Sequence, residues 1–142
     1  MAAWLKTFRE GNLLSPINDP TDLPAIDGKQ VVFLEPLSLN PDGTPKLTKH
    51  GEPLGKPSWE PGHLIGAYWG GTYAVNAVWV VMDTPEESQL DDWAWQTPVR
   101  LVAKDKSVTI KQLGVRPQSL MRRVRLRLRP EQEKILRDVF QL

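Results

Sequence analysis

The chain has 142 residues, no cysteine and a formal net charge of +1. Six tryptophans and 40% apolar residues exclude a disordered chain, and the length suits one domain with a sizeable core. The lack of cysteine excludes disulfides and thiolate chemistry. No apolar run reaches the roughly 18 residues that a membrane-spanning helix needs, and the N-terminus has no signal-peptide pattern. We therefore expect an intracellular, cytoplasmic protein with no membrane partner.

The two ends of the chain carry opposite charge. Residues 1–99 hold six Lys and Arg against thirteen Asp and Glu, whereas residues 100–142 hold twelve against four. A basic surface attracts polyanions, most often nucleic acid. The alternative is that the two sets of charges pair across the fold.

The first part of the chain predicts a helix, a connector and a strand. Leu5 and Phe8 stand at helical spacing within residues 2–10, and a glycine follows, which favours a short helix. Residues 12–29 are rich in proline and aspartate and predict an extended connector. Residues 30–34 form an apolar run typical of a strand.

A proline-rich stretch follows the first predicted strand. Asn40-Pro41-Asp42-Gly43 predicts a tight turn, because proline presets one turn dihedral and glycine accepts the left-handed conformation. We expect a small hairpin here, continued by a proline-spaced loop to residue 62. A loop of this length is either functional or mobile, and the sequence leaves both open.

The middle of the chain predicts the sheet. Residues 64–69 and 73–81 are strand-like runs joined at Gly70-Gly71-Thr72, which indicates a hairpin. Both faces of the second run are largely apolar, so it should be a central strand. The side chains predicted to share one of its faces are Tyr73, Val75, Ala77, Trp79 and Val81. After an acidic loop, residues 93–95 lead into a further strand at 98–103.

The last part of the chain combines two helical turns, a strand and a helix. Residues 108–115 and 117–121 predict single helical turns. Residues 123–129 alternate strictly between arginine and an apolar residue, which is typical of a half-buried strand. Pro130 suits the first turn of a final helix, whose apolar face is predicted to contain Ile135, Leu136, Val139 and Phe140. The elements together predict an α+β protein, a small bent mixed β-barrel of about five or six strands with flanking short helices.

The order of several segments resembles the EVE domains of the PUA-like superfamily, which are related to ASCH and YTH domains. The segments are Gly62-His63-Leu64-Ile65, residues 73–78, residues 93–100, Leu113-Gly114-Val115 and residues 119–132. The resemblance covers about residues 62–142 and is most specific at 113–133. Residues 1–61 would be a divergent N-terminal part of the same single domain.

The resemblance implies a PUA-like fold that binds nucleic acid, either DNA or RNA. Such domains hold a nucleobase, often modified and flipped out of its stack, in an aromatic-lined pocket beside a basic groove. We therefore expect a non-catalytic domain that recognises a modified (methylated) base. A hypothesis from another class is a protein-interaction module that meets an acidic partner through the arginine strand.

Reading a base requires flat aromatic surfaces, hydrogen-bond partners for the base edge and cations for the phosphates. Stacking on an aromatic ring contributes about 1–3 kcal/mol per base. The side chains predicted for the base pocket are Tyr68, Trp69, Asn76, Trp93, Trp95 and Ser119. The alternatives are that the aromatic rings belong to the core, that Asn76 is a satisfied buried amide and that Ser119 stabilises a turn.

Four arginines are the predicted phosphate contacts, because a guanidinium group presents a planar fork of donors. They are Arg122, Arg123, Arg125 and Arg127. The alternative is a solvated strand face without a ligand.

Motifs for catalysis or cofactors are not found in the sequence. Gly70-Gly71-Thr72 is too short for a phosphate-binding loop, and His50 and His63 lack the spaced partners of a metal site. No nucleophile and base are suggested by the residue pattern. The sequence therefore predicts a protein that is not an enzyme and needs no cofactor or metal.

Overall fold

The computed structural model describes residues 2–8, 30–69, 73–89, 91, 93–122 and 125–142. The strands within them are β1 (Ala3–Phe8), β2 (Gln30–Pro36), β3 (Leu64–Trp69), β4 (Ala74–Val81), β5 (Glu86–Glu87), β6 (Trp93–Ala103), β7 (Val108–Thr109) and β8 (Arg125–Arg127). The helices are α1 (Ile110–Leu113), α2 (Pro117–Arg122) and α3 (Pro130–Phe140). The predicted connector at 12–29 and the predicted turn at 70–72 lie outside the described residues.

The strands form one mixed sheet that curls into a half-barrel. Six of them lie in the order β2-β6-β4-β3-β1-β8, while β5 pairs with β6 and β7 pairs with β4. The β1–β3 pair is parallel, and the other described pairs are antiparallel. The prediction of a small α+β protein with a bent mixed sheet and short helices is confirmed, as is the central position of β4.

Residues 3–8 form a strand, so the predicted N-terminal helix is wrong. β1 lies between β3 and β8, and all six of its residues are buried. A strand covered on both faces shows no alternation of apolar and polar side chains. The spacing of Leu5 and Phe8 therefore carried no helical information, because partners distant in the chain determine the conformation of this segment.

The sheet has an apolar layer on each side. The concave side encloses the rings of Trp4, Phe8, Phe33, Trp59 and Trp79 with aliphatic side chains of β2, β3, β4 and β6. The convex side is covered by side chains from α1, α2 and α3. The predicted helical turns and the predicted C-terminal helix are confirmed, since Leu136 and Phe140 of α3 are buried in this second layer.

Gly66 in β3 leaves room for the side chains of two neighbouring strands. A Cβ atom at this position would lie 3.0 Å from Leu5 Cδ2, 3.0 Å from Val75 Cγ1 and 3.7 Å from Leu136 Cδ1. The two 3.0 Å distances are at the tight limit of packed interiors, whereas 3.7 Å is an ordinary contact. Glycine at this position therefore allows the Leu5 and Val75 side chains to pack against β3.

A β-bulge in β4 changes which side chains share a face. Gly66 pairs with Val78 and Tyr68 pairs with Val75, so β4 has one residue more than β3 in this interval. As a result Val75 packs in the convex layer, whereas Ala77 and Trp79 pack in the concave layer. The prediction that Val75 shares a face with Trp79 is therefore wrong.

Residues 37–58 form an arm that is attached to the half-barrel. The predicted tight turn is confirmed, with Gly43 N donating to Asn40 O at 2.9 Å. The indole Nε1 of Trp95 donates to Pro53 O at 3.1 Å, and Nε1 of Trp59 donates to Thr97 Oγ1 at 3.0 Å. The end of the arm is therefore fixed to β6.

A buried ion triad connects the two edges of the sheet. Glu35 of β2 binds Lys6 of β1 through Oε1 (2.7 Å to Nζ) and Arg125 of β8 through Oε2 (2.7 Å to Nη1). Lys6 is 1% exposed and Glu35 is 2% exposed. Because β2 and β8 stand at opposite ends of the strand order, the triad holds the half-barrel together where no backbone ladder does.

We expect the Glu35→Gln substitution to lower the free energy of unfolding by about 3–5 kcal/mol, because it leaves the Lys6 charge buried without its carboxylate. The Lys6→Met/Glu35→Gln double variant should recover a large part of this loss, since it removes the buried charge as well. Urea unfolding of both variants provides the test. A double variant less stable than Glu35→Gln alone would contradict this account of the triad.

The triad also predicts a dependence of stability on pH. Burial lowers the pKa of Lys6 from its ordinary value of 10.5, against the charge and hydrogen bond of Glu35, which raise it. Between the lowered pKa and 10.5 the unfolded chain binds more protons than the folded one, so the free energy of unfolding rises with pH. Without Glu35 the pKa of Lys6 falls further. The stability of Glu35→Gln should therefore rise with pH over a wider range than that of the wild type, as urea unfolding across a pH series would show.

Candidate functional site

The arginine side of β8 is turned toward the concave face of the half-barrel. In the β1–β8 register Trp4 pairs with Arg127 and Lys6 pairs with Arg125. Directly paired residues lie on the same face, so both arginines share the side of Trp4 and Lys6. Arg125, one of the predicted phosphate contacts, has a side chain that is 22% exposed and bound to Glu35. Its Nη2 also donates to Gly55 O at 3.2 Å.

Two tryptophans lie under the arginines of β8. The guanidinium carbon of Arg127 is 5.6 Å from the ring centroid of Trp4, and that of Arg125 is 5.9 Å from the ring centroid of Trp59. The two rings meet edge to face at 6.0 Å. No sequence pattern marks this cluster, because Trp4 lies in the segment predicted as a helix and Trp59 lies in a predicted loop.

His63 holds the Trp4 ring in position. Its Nδ1 accepts a hydrogen bond from Trp4 Nε1 at 3.2 Å and another from Glu60 N at 3.1 Å. A nitrogen that accepts is unprotonated, so the ring proton is on Nε2, which lies 3.9 Å from Glu60 Oε2. His63 is therefore part of the structural support of the concave face.

The predicted base pocket is divided between two ends of the sheet. Tyr68 pairs with Val75 near the start of β4, whereas Trp93 and Trp95 precede the part of β6 that pairs with Val81 at the end of β4. Because these strands are antiparallel, Tyr68 and the two tryptophans lie at opposite ends and cannot line one pocket. The structure therefore does not bring these three side chains together, because the strand register separates them.

The burial of these side chains differs as well. Tyr68 is 6% exposed and Trp95 is 3% exposed, so neither ring is presented to solvent, in contrast to the prediction. Trp93 and Ser119 are half-buried, and Asn76 is exposed at the bulge and is not a buried amide. The side chains of Trp69 and Arg122, and all of Arg123, lie outside the described residues.

An open groove of about 600 Å³ lies beside the start of β4, on the helix side of the sheet. It is lined by Tyr73, Thr109, Ile110, Lys111, Gly114, Val115, Arg116 and Pro117. Burial, and after it the electrostatic effect of the nearby Tyr73 phenol, raise the pKa of Tyr68 from its ordinary value. The two tyrosines are thus electrostatic neighbours, and Tyr73 is the one that reaches solvent.

The cations of the C-terminal part fall into two groups. Those of α3 and the residue before it are paired locally, with Arg129 near Glu131 (3.3 Å), Lys134 near Asp138 (3.8 Å) and Arg137 near Glu133 (2.8 Å). Among the described residues between 100 and 142, five exposed cations have no carboxylate within 4.0 Å. They are Arg100, Lys106, Lys111, Arg116 and Arg127. Pairing across the fold, the alternative considered above, is seen for Glu35 and Arg125.

Two further observations concern the described residues as a set. No helix among them is long and apolar enough to span a membrane. Their His, Asp and Glu side chains form no group of three or more that could hold a metal ion.

Comparison with known proteins shows similarity in fold alone. No protein-family model matches the chain, and no curated protein sequence matches it. The NMR structure of Rpa0253 from Rhodopseudomonas palustris is similar, with a TM-score of 0.62 and 11% sequence identity. The match covers 99% of this chain and 94% of that one. Rpa0253 therefore has the same overall architecture.

We expect the two described arginines of β8 to differ in their contribution to stability. Arg125→Gln removes a charged hydrogen bond to a buried carboxylate and should cost about 1.5–3 kcal/mol. Arg127→Gln removes an exposed cation–π contact and should cost about 0.5–1 kcal/mol. Urea unfolding of the two variants, which lose the same charge, provides the comparison. Equal losses would contradict the assignment of Arg125 to the structure and Arg127 to the surface.

Proposed function

We propose that residues 1–142 form one non-catalytic nucleic-acid-binding domain of the PUA-like, EVE type. The order of the segments between 62 and 133 supports this family, and a curled mixed sheet followed by a C-terminal helix is compatible with it. The proposed preference for a modified base rests on the resemblance to EVE domains. The partner is a DNA or RNA strand.

The observation that carries the proposal is the group of five exposed cations without an acidic partner among the described residues between 100 and 142. Unpaired surface cations keep their full attraction for phosphate groups and release counterions on binding. Lys111 and Arg116 lie together at one groove, which gives a defined place for two phosphate contacts.

The proposed phosphate contacts follow from what each arginine touches. Arg127 is exposed and keeps its predicted role, and Lys111 and Arg116 join it. Arg122 and Arg123 keep their predicted role from the sequence. Arg125 is occupied by Glu35 and Gly55 O, so we assign it to the support of the concave face.

A second candidate function is the protein-interaction module. The arm exposes three leucines, Leu39, Leu47 and Leu54, and exposed apolar side chains on one element favour a protein contact. In this case the arm would bind the partner, and the unpaired cations would attract its acidic groups.

We expect short single-stranded oligonucleotides to bind with an affinity that falls steeply with salt. The Lys111→Gln/Arg116→Gln variant should bind more weakly, and the slope of log affinity against log salt should become shallower by about 1.4, which corresponds to two phosphate contacts. Titrations followed by tryptophan fluorescence or anisotropy measure both quantities.

The matched control is Arg129→Gln/Lys134→Gln, which removes the same charge from cations that are already paired on and beside α3. Its salt slope should equal that of the wild type. If both double variants changed the salt slope equally, the change would result from net charge and not from the position of the cations. No binding at low salt, with binding of an acidic protein instead, would favour the second candidate.

A further inference from the structure

We propose that the groove beside Tyr73 receives one unpaired base of a single-stranded nucleic acid, which stacks on the Tyr73 ring while the adjoining phosphate contacts Lys111 and Arg116. The inference rests on the proposed nucleic-acid binding and specifies where on the protein one base binds. Tyr73 is outside the set of pocket residues that the sequence suggested.

Tyr73 has an unusual conformation for its residue type. Its side chain is 59% exposed, and its φ of 57° lies in the left-handed region. This conformation is unfavourable for a residue other than glycine. Because the ring is exposed, its burial offsets little of the backbone strain. A tyrosine at this position therefore does not stabilise the folded protein. Strained residues of this kind often occur at ligand sites.

The remaining walls of the groove suit the face of a base. Ile110 and Val115 are buried below it, and Pro117 closes one side. A volume of about 600 Å³ is within the usual range for small-ligand sites, and predominantly apolar walls are typical of them. A base held between these walls and the Tyr73 ring would be shielded on its apolar faces.

The groove is held in place before any ligand binds. Ile110 N donates to Tyr73 O at 3.0 Å, which fixes the aromatic residue to the start of α1. Thr109 and Gln112 form reciprocal capping hydrogen bonds at the same helix end. The Nε2 of Gln132 in α3 donates to Gly114 O at 3.2 Å and connects the opposite wall to the last helix. A preformed site loses less conformational entropy on binding.

The charge of the groove selects an anionic occupant. Lys111 and Arg116 are exposed at its edge, and none of its described lining residues is acidic. A nucleotide combines the two features that the groove matches, a flat apolar ring and an adjacent phosphate. A base in a duplex is stacked on both faces, so the geometry favours a single strand or an end.

The test compares a short oligothymidylate with the same backbone carrying abasic sites. Wild-type protein should bind the abasic strand about 5- to 150-fold more weakly, the range expected for one stacked base. Tyr73→Asn removes the ring with a residue that accepts the left-handed conformation, so the fold is retained. This variant should bind both strands with the same affinity. Tyr73→Phe keeps the ring and should retain the preference for the strand with bases.

The outcomes separate this inference from the proposed function. If salt-dependent binding is present but Tyr73→Asn still prefers the strand with bases, the groove assignment is overturned and nucleic-acid binding stands. If neither strand binds, both are overturned. Methyl chemical shifts of Ile110 and Val115 give a direct readout. Shifts caused by an acidic, leucine-containing peptide and not by the oligonucleotide would assign the groove to a protein partner and overturn the inference.

Discussion

The buried carboxylate of Glu35 is the constraint on which the concave side of this protein depends. Lys6 of β1 and Arg125 of β8 bind its two oxygens at 2.7 Å. Removing any one of these three groups would leave another charge without its partner, which is unfavourable in a buried site. The triad spans the opening between the two edge strands. The backbone oxygen of Gly55 also accepts from Arg125, so the arm is attached to the same charges.

This arrangement also decides which cations remain for a ligand. Arg125 is held inside by Glu35, and the cations of α3 are neutralised by acids on the same helix. The unpaired cations among the described residues between 100 and 142 therefore lie elsewhere, on and after β6, around α1 and at Arg127. In the groove beside Tyr73, an exposed ring lies near two of these cations, Lys111 and Arg116. The position of the groove results from the β4 bulge and the pairing of β4 with β7.

Much of the fold was predictable because it depends on local patterns. The strands β2, β3, β4 and β6 have apolar runs of strand length, and α3 has its proline and acids in the first turn and an apolar face. β1 was mistaken for a helix because it is buried on both faces by strands far away in the chain. The bulge at Asn76 inserts one residue into an otherwise regular run, and nothing in the apolar pattern marks it.

For the site, the charge asymmetry, the arginine strand and the location of the C-terminal helix could be predicted, since composition and short-range periodicity are properties of the chain. The pairing of each arginine, the burial of most aromatic rings and the exposure of Tyr73 could not. Burial and ion pairing depend on the register of strands that are distant in sequence, as with Glu35 and Arg125. Register places Tyr68 and Trp95 at opposite ends of the sheet, and it places Tyr73 beside Lys111 and Arg116.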